Sequence, residues 1–164
     1  MPASAPTVVI GIDCAVAPAN IGLARAEFAG GQLALTNVET GGTGRSIEQT
    51  VKAWLAETRR ALLALDCPLG WPAPLGEALR THAAGQCMPG TPDQLFHRRT
   101  DDFIRRWIGK NPLEVGADRI ARTAHVTLAL LDRIRSATGR DIKLAWEPGA
   151  CDGAYSSNEN HDQY

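Results

Sequence analysis

Two short stretches echo each other, Gly11-Ile12-Asp13-Cys14 and Ala64-Leu65-Asp66-Cys67, and each ends an apolar run in a carboxylate. Aspartate disfavours strands and is rarely buried, so its place at the end of such a run asks for a reason. If the two runs are neighbouring parallel strands, Asp13 and Asp66 converge on one sheet edge, with strands ~4.8 Å apart. Two convergent carboxylates with open positions for water and phosphate suit Mg²⁺ or Mn²⁺, and through such an ion phosphodiester hydrolysis. The plainer alternative is that each Asp starts a turn by bonding its own downstream backbone. Cys14 and Cys67 follow the acids and are read as small residues packed under loops rather than as soft-metal ligands.

A second group of chemistry-bearing residues runs from His97 to Arg106. Arg98, Arg99, Arg105 and Arg106 surround Asp101 and Asp102. Guanidinium groups bind phosphate bidentately, yet the same pattern is also that of a solvated helix face with internal ion pairs. His82, Cys87 and His97 match no zinc spacing, and no Ser or Cys nucleophile has His and Asp partners that the spacing places beside it. Gly41-Gly42-Thr43-Gly44 lacks the lysine of a phosphate-binding loop and reads as a strand-to-helix turn. The four cysteines at 14, 67, 87 and 151 show no C-x-x-C spacing, so reduced thiols are expected.

These residues need elements to hold them. Thr7–Ile12 is a β-branched run without polar alternation, the pattern of a central strand buried on both faces. Ile21–Phe28 and Gln32–Glu39, joined by the hairpin signal Gly30-Gly31, complete an antiparallel meander. Ser46 and Gln49 form a capping-box signature for a helix whose apolar face is Ile47, Val51, Trp54, Leu55 and Thr58. Ala61–Leu65 is a second uninterrupted apolar run, expected parallel to the first because a helical crossover separates them. Further helices are expected at Leu75–Ala83, at Gln94–Ile108 and, most clearly, from Asp118 to Gly139, where Ile120, Ala124, Leu128, Leu131 and Ile134 share a face. Asp141–Trp146 is expected as one more strand. The leader 1–6 and the polar tail 156–164 are expected to be disordered.

The whole chain has 164 residues, 17 Lys and Arg against 18 Asp and Glu, and 44% hydrophobic residues. That supports one α/β domain over residues 7–155 and excludes a coiled coil, collagen or a disordered chain. No apolar run approaches the ~20 residues that span a bilayer, so a cytoplasmic protein without membrane partners is expected. Residues 97–140 carry ten cations against five anions, which suits an anionic ligand such as nucleic acid.

Gly11-Ile12-Asp13, Leu65-Asp66-Cys67-Pro68-Leu69-Gly70 and Arg98-Arg99-Thr100-Asp101 with Arg105 resemble the successive motifs of the domain of unknown function 429 family. Val115-Gly116-Ala117-Asp118-Arg119-Ile120 and the helix after it fit as well, so the resemblance spans roughly residues 7–155. It implies a ribonuclease H-like fold and a metal-dependent nuclease. Asp13 and Asp66 would then be the metal-binding catalytic carboxylates, Asp101 a further catalytic acid, and Arg98 and Arg99 the phosphate-binding cations. The resemblance departs after Trp146-Glu147-Pro148-Gly149, where members continue into a further acidic strand and more helices. The C-terminal part of the domain is therefore expected to be missing, with Glu147 the nearest substitute acid. Weak or absent activity follows, as does self-association through an exposed strand edge at residues 61–65. The alternatives are a catalytically silent ribonuclease H-like module that binds a nucleotide or protein partner and, less favoured, phosphoryl transfer on the same sheet edge.

Overall fold

The computed structural model describes residues 5–42, 44–114 and 118–144. Expectations for Val115-Gly116-Ala117, for Ala145 onward including Glu147 and Cys151, and for most of the leader lie outside these residues. The described chain is α/β, with one mixed four-stranded sheet and five α-helices. It divides into two compact units, one made of the chain up to Cys67 with the chain from Val126, the other of Pro68–His125.

The first unit is the sheet and its helices. β1 (Thr7–Asp13), β2 (Gly22–Ala29) and β3 (Gln32–Thr40) form the expected meander, and β4 (Ala61–Leu65) lies parallel to β1, in the order β3-β2-β1-β4. Gly30 and Gly31 turn the β2–β3 hairpin with φ of 58° and 77°, values that a residue with a Cβ rarely adopts. α1 (Ile47–Ala56) makes the crossover between β3 and β4, and its capping box is complete: the Ser46 hydroxyl accepts from the Gln49 amide while the Gln49 side chain accepts from the Ser46 amide. α5 (Asp118–Thr138) begins in the second unit and ends in the first.

One face of the sheet holds the core. Val8, Ile10, Ile12 and Leu23 pack there with Ile47, Val51, Trp54 and Leu55 of α1 and with Leu130 and Ile134 of α5. The expectation that residues 7–12 and 61–65 are buried from both sides does not hold. β1 alternates, with Val8, Ile10 and Ile12 buried and Thr7, Val9 and Gly11 only half-buried, while no residue of β4 is fully buried and Ala64 is exposed. Both helices lie over the same face, so the other face of these apolar strands lacks that cover. Among the described residues β4 pairs with β1 alone, so it is an edge strand.

The expected strand at Asp141–Trp146 is not formed over residues 141–144. The Ile142 carbonyl accepts from the Arg135 guanidinium at 2.6 and 3.0 Å instead, and Arg140 donates to the Leu55 carbonyl in the last turn of α1 and to the Thr58 carbonyl just past it, at 2.6 and 2.8 Å. This segment ties helices together with arginine and extends no ladder.

The second unit contains α2 (Ala73–Arg80), α3 (Pro92–Phe96) and α4 (Arg99–Ile108). The single helix expected over Gln94–Ile108 is two, broken at His97 and Arg98, which take extended backbone angles. Each helix has its own N-terminal bonds: Thr91 with Gln94 in a capping box, and the Arg98 amide with the Asp101 carboxylate. Leu75, Ala78 and Leu95 form this unit's small core.

Candidate active site

Register places the two aspartates. β1 and β4 run parallel with Ile12 opposite Leu65, and the Asp66 amide donates to the Ile12 carbonyl at 2.9 Å, carrying the ladder one residue beyond β4. Asp13 and Asp66 therefore stand at the carboxyl ends of adjacent strands, on one sheet edge. Side chains alternate along a strand. Ala61, Leu63 and Leu65 join the core, so Leu62, Ala64 and Asp66 belong to the outer face, as do Val9, Gly11 and Asp13 on β1. Both aspartates are exposed.

On its other side Asp13 is opposite Gly22 of β2. A Cβ there would stand 3.4 Å from the Asp13 Cβ and 3.8 Å from its Oδ2, so glycine leaves space beside the carboxylate that any other residue would narrow. Cys14 is half-buried just behind. Burial pushes its thiol above the ordinary value; a hydrogen bond with Thr127 opposes this, and Cys67, Asp66 and Asp13, all within electrostatic reach, push it up further. Two acids and two cysteines thus gather at one strand-end edge. Cys14 also donates weakly to the Ile12 carbonyl at 3.5 Å and packs against the core, in keeping with a packing role. Among the described residues no three His, Cys, Asp or Glu side chains are grouped so as to hold a metal ion.

Arg98, Arg99 and Asp101 lie in the second unit. Asp101 is 4% exposed, and its Oδ2 accepts from the Arg98 backbone amide at 2.9 Å and the Arg98 Nε at 2.8 Å, while Oδ1 accepts from the Arg98 Nη2. A carboxylate that receives a bidentate guanidinium and an amide closes the first turn of α4, and its lone pairs are engaged. The solvated-face reading of this stretch is right for Asp102, which pairs with Arg105, and does not describe Asp101. Arg99 is exposed and makes no ion pair among the described residues. The His97 Nε2 lies 3.2 Å from a Glu114 carboxylate oxygen and its Nδ1 3.6 Å from Asp93, which sets the imidazole between α3 and the loop after α4. His82 and Cys87 line a cleft of about 470 Å³ with Thr81, Gln86 and Gln94.

The glycine-rich stretch serves packing. A Cβ on Gly41 would sit 1.9 Å from the Pro18 carbonyl oxygen, and the Gly41 amide donates to the Ile21 carbonyl at 2.8 Å, so the end of β3 lies directly against the 3-10 turn at Pro18–Asn20. Two features escape a reading of charge and periodicity: the open position at Gly22, which only the β1–β2 register reveals, and an aromatic pair on α4. Phe103 and Trp107 stack with ring centroids 5.5 Å apart at 22°, and their four-residue spacing beside the arginines is the signal that betrays them.

A family model described as a protein of unknown function, DUF429, matches residues 11–147. No curated protein and no solved structure matches the chain significantly.

Proposed function

Since the chain belongs to the DUF429 family, whose description assigns no activity, we propose from the site's own geometry a divalent-metal-dependent phosphodiester hydrolase of ribonuclease H-like architecture. The observation that carries this reading is the pairing of Asp13 with Asp66 at the ends of adjacent parallel strands. The donor set suits a hard cation: two exposed carboxylates on one face, with glycine leaving room beside Asp13 and the neighbouring Cys14 engaged elsewhere. Mg²⁺ or Mn²⁺ bound there supplies Lewis-acid stabilisation of charge at a scissile phosphate. Asp13 and Asp66 would hold the ion. Arg99 has no acidic partner among the described residues and so keeps its charge for a phosphate, whereas Arg98 and Asp101 satisfy each other and shape the start of α4.

A second reading is the same fold acting as a binding module without turnover. The donor count favours it, since among the described residues no third ligand joins the two carboxylates, and such a pair holds a metal weakly. One experiment separates the two. Mn²⁺ should raise the melting temperature of the wild type and leave Asp13→Asn/Asp66→Asn unmoved, because an ion that binds only the folded state stabilises by RT ln(1 + [L]/Kd). Metal-dependent cleavage of an oligonucleotide by the wild type alone supports the hydrolase; a melting shift without cleavage supports the module. Identical shifts in both proteins would remove the metal site from these residues.

A further inference from the structure

The exposed side of α4 is built from two kinds of side chain. Arg99, Phe103, Arg106 and Trp107 stand at positions i, i+4, i+7 and i+8, which lie on one helix face. Phe103 is 57% and Trp107 79% exposed, far more than aromatic residues that serve a core. They stack on each other, so the outer face of the indole is bare. The opposite side of the helix carries Asp101, which is buried, and so α4 already has a packed side and a free one.

The charges around the rings are unbalanced. From Arg98 to Lys110 there are five cations and two anions. Both anions are taken, Asp101 by Arg98 and Asp102 by Arg105. Arg99, Arg106 and Lys110 have no acidic partner among the described residues, and Arg106 donates only to the Asp102 carbonyl, at 3.3 Å. A flat π surface beside unneutralised guanidinium groups complements a polymer that alternates exposed aromatic rings with negative charge.

We propose that α4 is a binding platform for single-stranded nucleic acid, with an unpaired base stacked on Trp107 and the adjacent phosphates met by Arg99 and Arg106. A duplex offers its phosphates but keeps its bases stacked inside, and so it uses the cations without the rings. A lipid surface would use the same cations and the same rings, so vesicle binding is the competing outcome of the test. The proposal deepens the reading of the carboxylate site by naming the substrate, and it rests on that reading for cleavage and not for binding.

The test is fluorescence anisotropy of a labelled 12-nucleotide oligo(dT), a duplex of the same length, and co-sedimentation with phosphatidylserine vesicles, using the full chain. Trp107→Ala should weaken oligo(dT) binding by about tenfold and duplex binding far less, since stacking on one aromatic is worth that much. Arg99→Gln/Arg106→Gln should lower the slope of log affinity against log salt by about 1.4, two single-strand phosphate contacts at about 0.7 each. Both variants change exposed side chains, and unchanged circular dichroism and melting would confirm that they fold. Equal oligo(dT) binding by the wild type and Trp107→Ala, no oligo(dT) binding at all, or vesicle binding that Trp107→Ala abolishes would each overturn the platform. Binding through Trp107 without cleavage would sink the hydrolase and keep the platform; cleavage untouched by Trp107→Ala would do the reverse.

Discussion

The two faces of the sheet differ more than their sequences do. On the inner face Ile10 is fully buried and Val8, Ile12 and Leu23 nearly so, under α1 and α5. On the outer face Leu33, Leu35 and Val38 of β3 are 61%, 65% and 67% exposed, and a Cβ on Gly11 would meet nothing within 4 Å. Both faces are apolar, and among the described residues helices cover only one. The strands read as doubly buried because hydrophobicity records what a face prefers, whereas cover depends on which helices reach it. The carboxylates belong to the outer face, at its edge, where a charged group keeps its water and a ligand has access.

The hairpin makes the contrast sharper. Thr36 is the extra residue of a β-bulge between the pairs Arg25–Asn37 and Ala26–Leu35. The bulge lengthens the spacing from two to three, so Leu35 and Val38 share the outer face although an unbroken strand would put them on opposite sides. Arg25 holds it from the inner side. Its guanidinium donates to the Thr36 hydroxyl at 2.9 Å, that hydroxyl donates to the Arg25 carbonyl at 3.0 Å, and Glu27 and Glu57 lie 3.0 and 3.4 Å from the charge.

The largest test of the comparison is truncation on the inner face. Ile10→Ala should cost roughly 2–5 kcal/mol, the lost transfer energy plus a cavity between two helices. Leu35→Ala, the same kind of change on the outer face, should stay within about 0.5 kcal/mol. Urea denaturation of the pair measures the asymmetry directly, and equal losses would mean that the outer face is covered in solution. Next in size is Arg25→Ala, which removes the clamp beneath the bulge and leaves the Thr36 hydroxyl without its donor. A cost of about 1–3 kcal/mol is expected by the same denaturation. A neutral result would show that the bulge is set by the hairpin alone.

A smaller effect ties the inner helices together. Glu48 of α1 accepts from Arg133 of α5. Burial alone would push the Glu48 carboxyl up, but the bond from Arg133, its own backbone amide and the Ser46 hydroxyl together hold it below the ordinary value of 4.5. A carboxyl with a lowered folded-state pKa stabilises above its unfolded value and loses that contribution as the pH falls through the folded one. Wild type should therefore lose more stability below pH 4.5 than Glu48→Gln does, while at pH 7 the variant should be weaker by under about 1 kcal/mol, because Arg133 is half-exposed and solvent screens the pair. Parallel acid dependence in both proteins would mean that this bridge does not hold α1 to α5.

Much of this arrangement is legible in the sequence, for reasons that are local. Gly30-Gly31 dictates a hairpin, Ser46 with Gln49 dictates a helix start, and uninterrupted apolar runs, β-branched in β1 and leucine-rich in β4, fix the two strands with their order and direction. The two Asp echoes mark the edge because strand ends are the only places in such runs where a carboxylate stays wet. What the sequence conceals is set by long-range register. The bulge at Thr36 turns Val38 to the face that unbroken alternation from Leu35 would deny it, the Arg98–Asp101 clamp splits one apparent helix into two, and Arg135 takes the Ile142 carbonyl that a strand would have used. Gly22 gains its meaning only from its partner across the ladder.

The smallest expected effect is also the sharpest check on the bare face. Replacing Leu33, Leu35 and Val38 together by Thr keeps β-branched or strand-compatible residues on β3 and removes most of its outward apolar surface. Three changes of this kind in a packed core would cost several kcal/mol in sum. Here each side chain is more than half exposed, so the triple variant should stay within about 1 kcal/mol of the wild type, with the same denaturant slope because little surface changes its burial on unfolding. The inner-face residues give the reference, since Ile10→Ala alone should exceed all three combined. If the triple variant instead loses several kcal/mol and its slope falls, Leu33, Leu35 and Val38 are buried in solution against something that lies over β3, and the sheet has two covered faces.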